Sequence, residues 1–423
     1  VTAEPPRVAL RTLGCKVNRT ESEALAEALA GLCTVSMDGD EGADVVVVNT
    51  CTVTGEADAK ARKAVRHALA GGAAAVVVTG CLAAIDPDGL RALGSRVVVE
   101  TDHTVLARRV AELAGVGPEV AASGVPRPGS MGRTRVMVKV QDGCDHRCTY
   151  CIVPDARGLP RSVPTVEVVA RVRALAEAGV PEVVLTGVNI GRYDDPSGSR
   201  DLAGLIAAVA ATPIARIRLS SIEPLDLDER LLGVLAGSSK VVPHLHVPLQ
   251  SGCGRTLDAM GRGYSAGRFA GVLERARAAM PALSVTTDVI AGFPGETDAD
   301  FAESLSFVER AGFTRLHVFR YSPREGTAAA SRSDQVAPGV KAARAQAMRG
   351  VSERLVDAHA RGRVGTHVTA CIERVGGERA HGTADDSLLV DVASEGLVRG
   401  QVVRVRIDGS DGQGYRGTVL ESS

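Results

Sequence analysis

The sequence predicts an α/β protein in three parts: an N-terminal parallel α/β domain, a partial (βα)6 barrel and a small all-β barrel at the end. Over roughly the first 110 residues, apolar strand-length runs alternate with amphipathic helical runs, the pattern of a parallel sheet covered on both faces. The alternation resumes from residue 135 with six further strand candidates, too few for a complete eight-unit barrel. After residue 363 short strands separated by Gly and Asp turns replace it, as in a small β-barrel.

Bulk properties leave room for this architecture and exclude others. The chain has 423 residues, 45% hydrophobic and 23% charged, enough for two or three domains with real cores. Its net charge of -1 gives no support to nucleic-acid binding through bulk charge, and with 3% aromatics and no Trp it lacks the material for an extensive base-stacking surface. No apolar run approaches the length of a membrane span, and no apolar stretch follows a basic start. A cytoplasmic address without membrane contact is the expectation.

In the first part, strands are expected over 8–13, 44–48 and 74–78, each bounded by turn residues. Helices follow over 20–31, 56–69 and 87–93, the first placed by the spacing of Leu25, Ala28 and Leu29. Residues 115–134 carry Pro118, Pro126 and Pro128 among Gly and Ser, with no apolar period, and read as a linker. Barrel strands are expected over 135–140, 182–186, 216–220, 241–247, 284–291 and 315–321, with helices such as 166–178 and 264–280 between them. An Ala-rich helix over 333–363 precedes five short strands over 366–375, 380–385, 387–392, 401–408 and 414–421. The expected domains are thus 1–114, 135–363 and 364–423.

Nine cysteines, an odd number, argue against a disulfide framework and leave metal, catalytic or buried roles. Cys15, Cys51 and Cys81 each stand just past a predicted strand. Such strand ends converge on one edge of a parallel sheet, where ligands bind. A second group, Cys144, Cys148 and Cys151, sits in a loop directly after the first barrel strand. Three thiolates on a four-iron cluster leave one iron open to an outside ligand, whereas structural zinc takes four closed ligands and would recruit His146. Cys33, Cys253 and Cys371 have no partner at metal spacing and read as buried thiols.

The loop Cys144-Asp-His-Arg-Cys148-Thr-Tyr150-Cys151 after a first barrel strand resembles that of the radical S-adenosylmethionine superfamily. The segments Thr12-Leu-Gly-Cys15-Lys-Val-Asn18, Asn49-Thr-Cys51-Thr-Val-Thr54 and Thr79-Gly-Cys81 are similar to the cysteine boxes of the methylthiotransferases within it. The resemblance implies two [4Fe-4S] clusters, one on each cysteine triad, with S-adenosyl-L-methionine on the open iron of the second. It also implies cofactor contacts from Tyr150, from Gly187 and Asn189 at the end of the second barrel strand, from Ser221 and Glu223 after the third, and from His246 and Gln250 after the fourth. Arg157 and Arg161, in the segment after Cys151, are candidates for gripping a phosphate or carboxylate of the substrate.

Together with His317-Val-Phe-Arg-Tyr-Ser-Pro-Arg-Glu-Gly-Thr327, the boxes look like the branch that methylthiolates C2 of N6-threonylcarbamoyladenosine beside the tRNA anticodon. The implied partners are tRNA, a low-potential electron donor such as flavodoxin or ferredoxin, and a sulfur source. Isopentenyladenosine in tRNA and an aspartate of a ribosomal protein are the alternative substrates, and a zinc-stabilised RNA-binding protein is the non-enzyme alternative. The last part resembles the TRAM domain, a small barrel linked to tRNA binding. It departs from a phosphate-gripping composition, because residues 364–423 hold six Arg against nine Asp and Glu.

Overall fold

The computed structural model describes residues 4–37, 39–117, 134–198 and 200–422. Residues 118–133 of the expected linker lie outside the described residues.

In chain order the first part runs β1 (Arg7–Thr12), α1 (Lys16–Leu29), β2 (Thr34–Ser36), β3 (Val45–Thr50), α2 (Gly55–Ala70), β4 (Ala75–Gly80), α3 (Cys81–Ile85), α4 (Pro87–Arg91), β5 (Val97–Val99) and α5 (His103–Leu113). Its sheet has the order β2-β1-β3-β4-β5 and every pairing is parallel. Side chains alternate across a strand, so the all-valine start of β3 serves two cores. Val45 and Val47 pack with Leu25 and Leu29 of α1 and Leu106 and Val110 of α5. Val46 and Val48 pack with Ala61 and Val65 of α2, Leu82 of α3 and Leu90 of α4. The edge strands β2 and β5 were not expected, since three residues are too few to carry a readable period.

The second part contains β6 (Arg135–Lys139), the short antiparallel pair β7 (Gln141–Asp142) and β8 (Arg161–Ser162), then β9 (Glu182–Thr186), β10 (Arg216–Leu219), β11 (His244–His246), β12 (Ser284–Ala291) and β13 (Arg315–Arg320). Six parallel strands form two half-sheets, β10-β9-β6 and β11-β12-β13. Single bridges at Ile217–Val241 and Ser221–His246 connect the halves. The loops leaving the C-terminal ends of these strands carry the second cysteine triad and the candidate cofactor residues.

The last part is a closed barrel of β14 (His367–Gly376), β15 (Arg379–Ala384), β16 (Leu389–Ala393), β17 (Val402–Ser410) and β18 (Gly414–Ser422), in the order β14-β15-β16-β18-β17. The helix Pro338–Gly362 serves two cores: Met348 and Val351 pack into the larger barrel, Val356 and Ala360 into the small one. The small barrel docks where β9 and β10 begin. There Arg218 bonds the buried Glu182 at 2.8 Å, the Ser387 hydroxyl at 2.6 Å and the Ala384 carbonyl at 3.0 Å. That is the end of the larger barrel away from the cysteine loop. Among the described residues no helix is long and apolar enough to cross a membrane.

Candidate active site with two thiol triads

The first triad is assembled by backbone that only glycine tolerates. Gly14 has φ +109, and a Cβ there would lie 2.6 Å from Cβ of Cys51 and 3.1 Å from its Sγ. Gly80 has φ +86, and its Cβ would strike the Asn49 side chain and the Thr50 carbonyl, both at 2.4 Å. Cys15 then caps α1, Cys51 follows β3 and Cys81 begins α3. Two asparagines fasten the boxes together. Asn18 donates to the Asn49 side chain and to the Thr50 carbonyl, each at 2.8 Å, while Asn49 donates to the Asn18 carbonyl at 2.9 Å. Burial, with a smaller contribution from neighbouring thiols, pushes the Cys51 thiol up and Cys81 up to about 11.

The second triad is local. The Cys144 amide donates to Gly158 and the Cys151 amide to Cys148, both at 3.0 Å, while Thr149 is tied through its backbone to Met260 and Ala329. Burial pushes Cys144 up and Cys151 up to about 12, with the Cys148 charge adding to both. Cys148 moves the other way. Burial opposes its ionisation, but hydrogen bonds from His146 and Arg262 and the guanidinium charge overcome it, leaving the thiol below its ordinary value. Arg262 lies between Gly261 and Gly263, with φ +71 and +68. It donates to Cys148 Sγ at 3.3 Å and to the Tyr264 hydroxyl at 3.0 Å, and pairs with Glu223.

Among the described residues no three His, Cys, Asp or Glu side chains gather tightly enough to hold a single metal ion. The thiols within each triad are close enough to shift one another's ionisation. His146, the fourth ligand a zinc site would need, instead hydrogen-bonds Cys148 and meets Arg192 at 3.2 Å.

One guanidinium joins the two regions. Arg157, on α6 (Val153–Arg157), bonds Cys81 Sγ at 3.2 Å, Asn18 at 3.0 Å, Glu21 at 2.8 Å and Asp142 at 3.0 Å. Its side chain is 7% exposed, and these partners occupy it. Through these partners Arg157, a substrate candidate in the sequence, fastens α1 and α3 to the barrel. Arg161 bonds the Arg157 carbonyl and lines a separate cavity with Asp194 and with Asp145 of the second cysteine loop. On the other side of the triads, Arg324 bonds Thr52 at 2.7 Å and Asp58 at 2.5 Å, and the Ser322 hydroxyl accepts from the Gly55 amide at 3.0 Å.

Between these two fasteners one thiol of each triad borders a cavity. Cys51 and Gly14 line a cavity of about 720 Å³. Tyr150 and Cys151 line one of about 180 Å³. The two cavities share Thr54, Phe319, Arg320, Tyr321 and Ser322 as walls, so the thiol groups border adjoining space.

The candidate cofactor residues divide. Asn189 is 5% exposed and neither atom of its amide has a hydrogen-bond partner; the hydroxyls of Thr186 and Ser220 beside it in the strand-end region are likewise unpaired. Unsatisfied buried polar groups of this kind suit a polar ligand. At Gly187 a Cβ would meet the Gln141 carbonyl at 2.8 Å and side-chain oxygen at 2.9 Å. Glu223 is paired with Arg262. His246 pairs with Asp288 at 3.2 Å and Thr286 at 3.0 Å, and Ser221 stands in the bridge to His246. Gln250 lines the smaller cavity with φ +72, a left-handed backbone rare outside glycine. Sequence reasoning missed Arg262, Asp288 and Arg324; the Gly-Arg-Gly run at 261–263 was a readable signal for the first. Cys33, Cys253 and Cys371 are buried away from both triads.

Residues 138–308 match the Radical SAM superfamily and residues 7–100 the uncharacterized protein family UPF0004. The chain is 38% identical over 368 residues to threonylcarbamoyladenosine tRNA methylthiotransferase MtaB of Bacillus subtilis, an alignment spanning 84% of this chain and 82% of that protein. It is 35% identical over 445 residues to the tRNA-2-methylthio-N(6)-dimethylallyladenosine synthase of Anaeromyxobacter sp. strain K, spanning 99% and 95%. Among solved structures, the radical S-adenosylmethionine methyltransferase TsrM of Kitasatospora setae superposes with a TM-score of 0.56 at 17% identity, over 74% of this chain and 72% of that one, which shows a shared fold.

Proposed function

Because the chain belongs to the radical S-adenosylmethionine tRNA methylthiotransferases, we propose that it adds a methylthio group to C2 of N6-threonylcarbamoyladenosine beside the tRNA anticodon. Cys144, Cys148 and Cys151 would hold one [4Fe-4S] cluster with S-adenosyl-L-methionine on its open iron, and Cys15, Cys51 and Cys81 the other. The chemistry available when these groups are bound is one-electron reductive cleavage of S-adenosylmethionine at one site and delivery of a methylated sulfur from the other.

The chain's own residues bind, orient and enclose. The unpaired Asn189 amide and Ser220 hydroxyl supply donors and acceptors for the polar end of S-adenosylmethionine. Arg262, held by Glu223 and Tyr264, keeps a positive charge on Cys148 and favours its thiolate. Arg157 and Arg324 fix the distance between the two cysteine-bearing parts, so that substrate atoms in the shared space meet both. A low-potential electron donor such as flavodoxin or ferredoxin and a sulfur source complete the reaction as partners.

The observation that carries this reading is the pair of adjoining cavities with Cys51 in the wall of one and Cys151 in the wall of the other. Isopentenyladenosine is the second reading, supported by relatives of similar identity that carry the dimethylallyl name. The test is anaerobic reconstitution with iron and sulfide, incubation with tRNA bearing either modified adenosine, and mass analysis of the digested nucleosides. Methylthiolation of the threonylcarbamoyl nucleoside is the expected result; product from the isopentenyl nucleoside alone selects the second reading.

A further inference from the structure

The larger cavity beside Cys51 is also lined by cations that lack partners among the described residues. Its wall includes Lys60, Arg320, Lys341 and Arg349, with Glu56 as the acid among them. Lys60 is paired with Glu56 at 2.8 Å. Lys341 sits over the Tyr321 ring at 4.8 Å and has no carboxylate partner among the described residues. The Arg320 and Arg349 side chains have no hydrogen bond or ion pair among the described residues; Arg320 acts on Glu56 only through its charge. The contrast with nearby guanidiniums is sharp, because Arg157, Arg262 and Arg324 are each committed to a carboxylate.

The position of these cations matters as much as their number. Arg320 ends β13, and its neighbour Phe319 is 46% exposed and borders both the larger cavity and the smaller one at Cys151. Lys341 and Arg349 come from the helix Pro338–Gly362, which flanks the same groove. By contrast, the small β-barrel is acidic overall and docks at the far end of the larger barrel.

We infer that Arg320, Lys341 and Arg349 form the groove that receives the phosphodiester backbone of the tRNA anticodon loop, with Phe319 as the surface on which the entering base rests. The inference builds on the reading of tRNA as substrate. Guanidinium and ammonium groups release counterions when they meet phosphates, which makes such binding salt-dependent, and an exposed aromatic ring at the seam of two cavities offers a base a stacking face.

The test measures affinity of the full-length, cluster-loaded protein for two anticodon stem-loop RNAs, one with unmodified adenosine and one with the threonylcarbamoyl group, across a salt series. The double variant Arg320→Ala/Arg349→Ala is expected to weaken both RNAs equally and to lower the slope of log affinity against log salt by about 1.4, two single-strand phosphate contacts. Phe319→Ala is expected to weaken both on the order of tenfold without changing the slope. A loss confined to the threonylcarbamoyl RNA would assign the cations to its carboxylate and overturn the backbone assignment. Unchanged affinity, or a larger loss from Arg404→Ala/Arg406→Ala in the small barrel, would overturn it as well. Circular dichroism and iron content of each variant separate a binding defect from a folding defect, and product formation by the unaltered enzyme tests the substrate reading separately.

Discussion

The two cysteine triads reach similar chemistry by opposite routes. Cys144, Cys148 and Cys151 lie within eight residues and need only one loop, pinned at Gly158, Met260 and Ala329. Cys15, Cys51 and Cys81 come from three strand ends and depend on a folded parallel sheet, on Gly14 and Gly80, and on the Asn18–Asn49 pair. The electrostatics differ too. In the first triad burial raises Cys51 and Cys81; in the second, hydrogen bonds and the charge of Arg262 overcome burial at Cys148. The loop triad takes its thiols from one segment, while the sheet triad is as stable as the sheet and its junction to the barrel.

The largest effects should come from removing a thiol in each region. Cys51→Ala and Cys148→Ala are both expected to abolish methylthiolation, but only Cys148→Ala should stop S-adenosylmethionine cleavage, as followed by chromatography of its products. Cleavage lost in both would erase the division between the triads.

Next in size is Arg157→Ala, which removes the buried guanidinium shared by Glu21 and Asp142 and leaves both to Lys139, so the loss stays below the roughly 3–5 kcal/mol of a fully unpaired buried charge. Denaturant midpoints should fall, and iron should be lost from the sheet triad before the loop triad. Iron loss first from the loop triad would reverse the ordering of the two regions.

Gly14→Ala should be milder, since strained left-handed backbone costs about 1–3 kcal/mol, although the added Cβ must also displace Cys51. Iron analysis of anaerobically loaded protein should show the sheet triad depleted and the loop triad full. Equal depletion would mean that Gly14 acts on overall folding.

The smallest effect is acid sensitivity at the junction. Burial opposes ionisation of Glu21 and Asp142, but Arg157 and Lys139 hold both carboxyls below their ordinary values. Such groups contribute stability that is present above the unfolded carboxylate values and is lost as pH falls through the folded ones. Lowering the pH from about 5 to about 3 should reduce the unfolding midpoint, and Arg157→Ala should blunt that dependence. A dependence unchanged by Arg157→Ala would place the acid-sensitive groups elsewhere.

Much of this contrast was legible in the sequence. Continuous valine runs over 45–48 and 76–78 signal strands buried on both faces, and the cysteines after them are placed at strand ends by position alone. The loop triad is read from local spacing. The junction was not legible, because the partners of Arg157 come from residues 18, 21, 81 and 142, and a lone arginine after a cysteine loop reads equally well as a substrate contact. At Gly187 a glycine signals closeness, but only the fold shows that Gln141 lies on its Cβ side. The edge strands β2 and β5 carry too few residues for any period to register.

The most direct test is electron paramagnetic resonance of the fully loaded protein after reduction of both clusters. With the triads bordering adjoining space, the two signals should broaden each other, and the broadening should vanish in Cys51→Ala. Two independent, unbroadened signals in the unaltered protein would contradict the shared site.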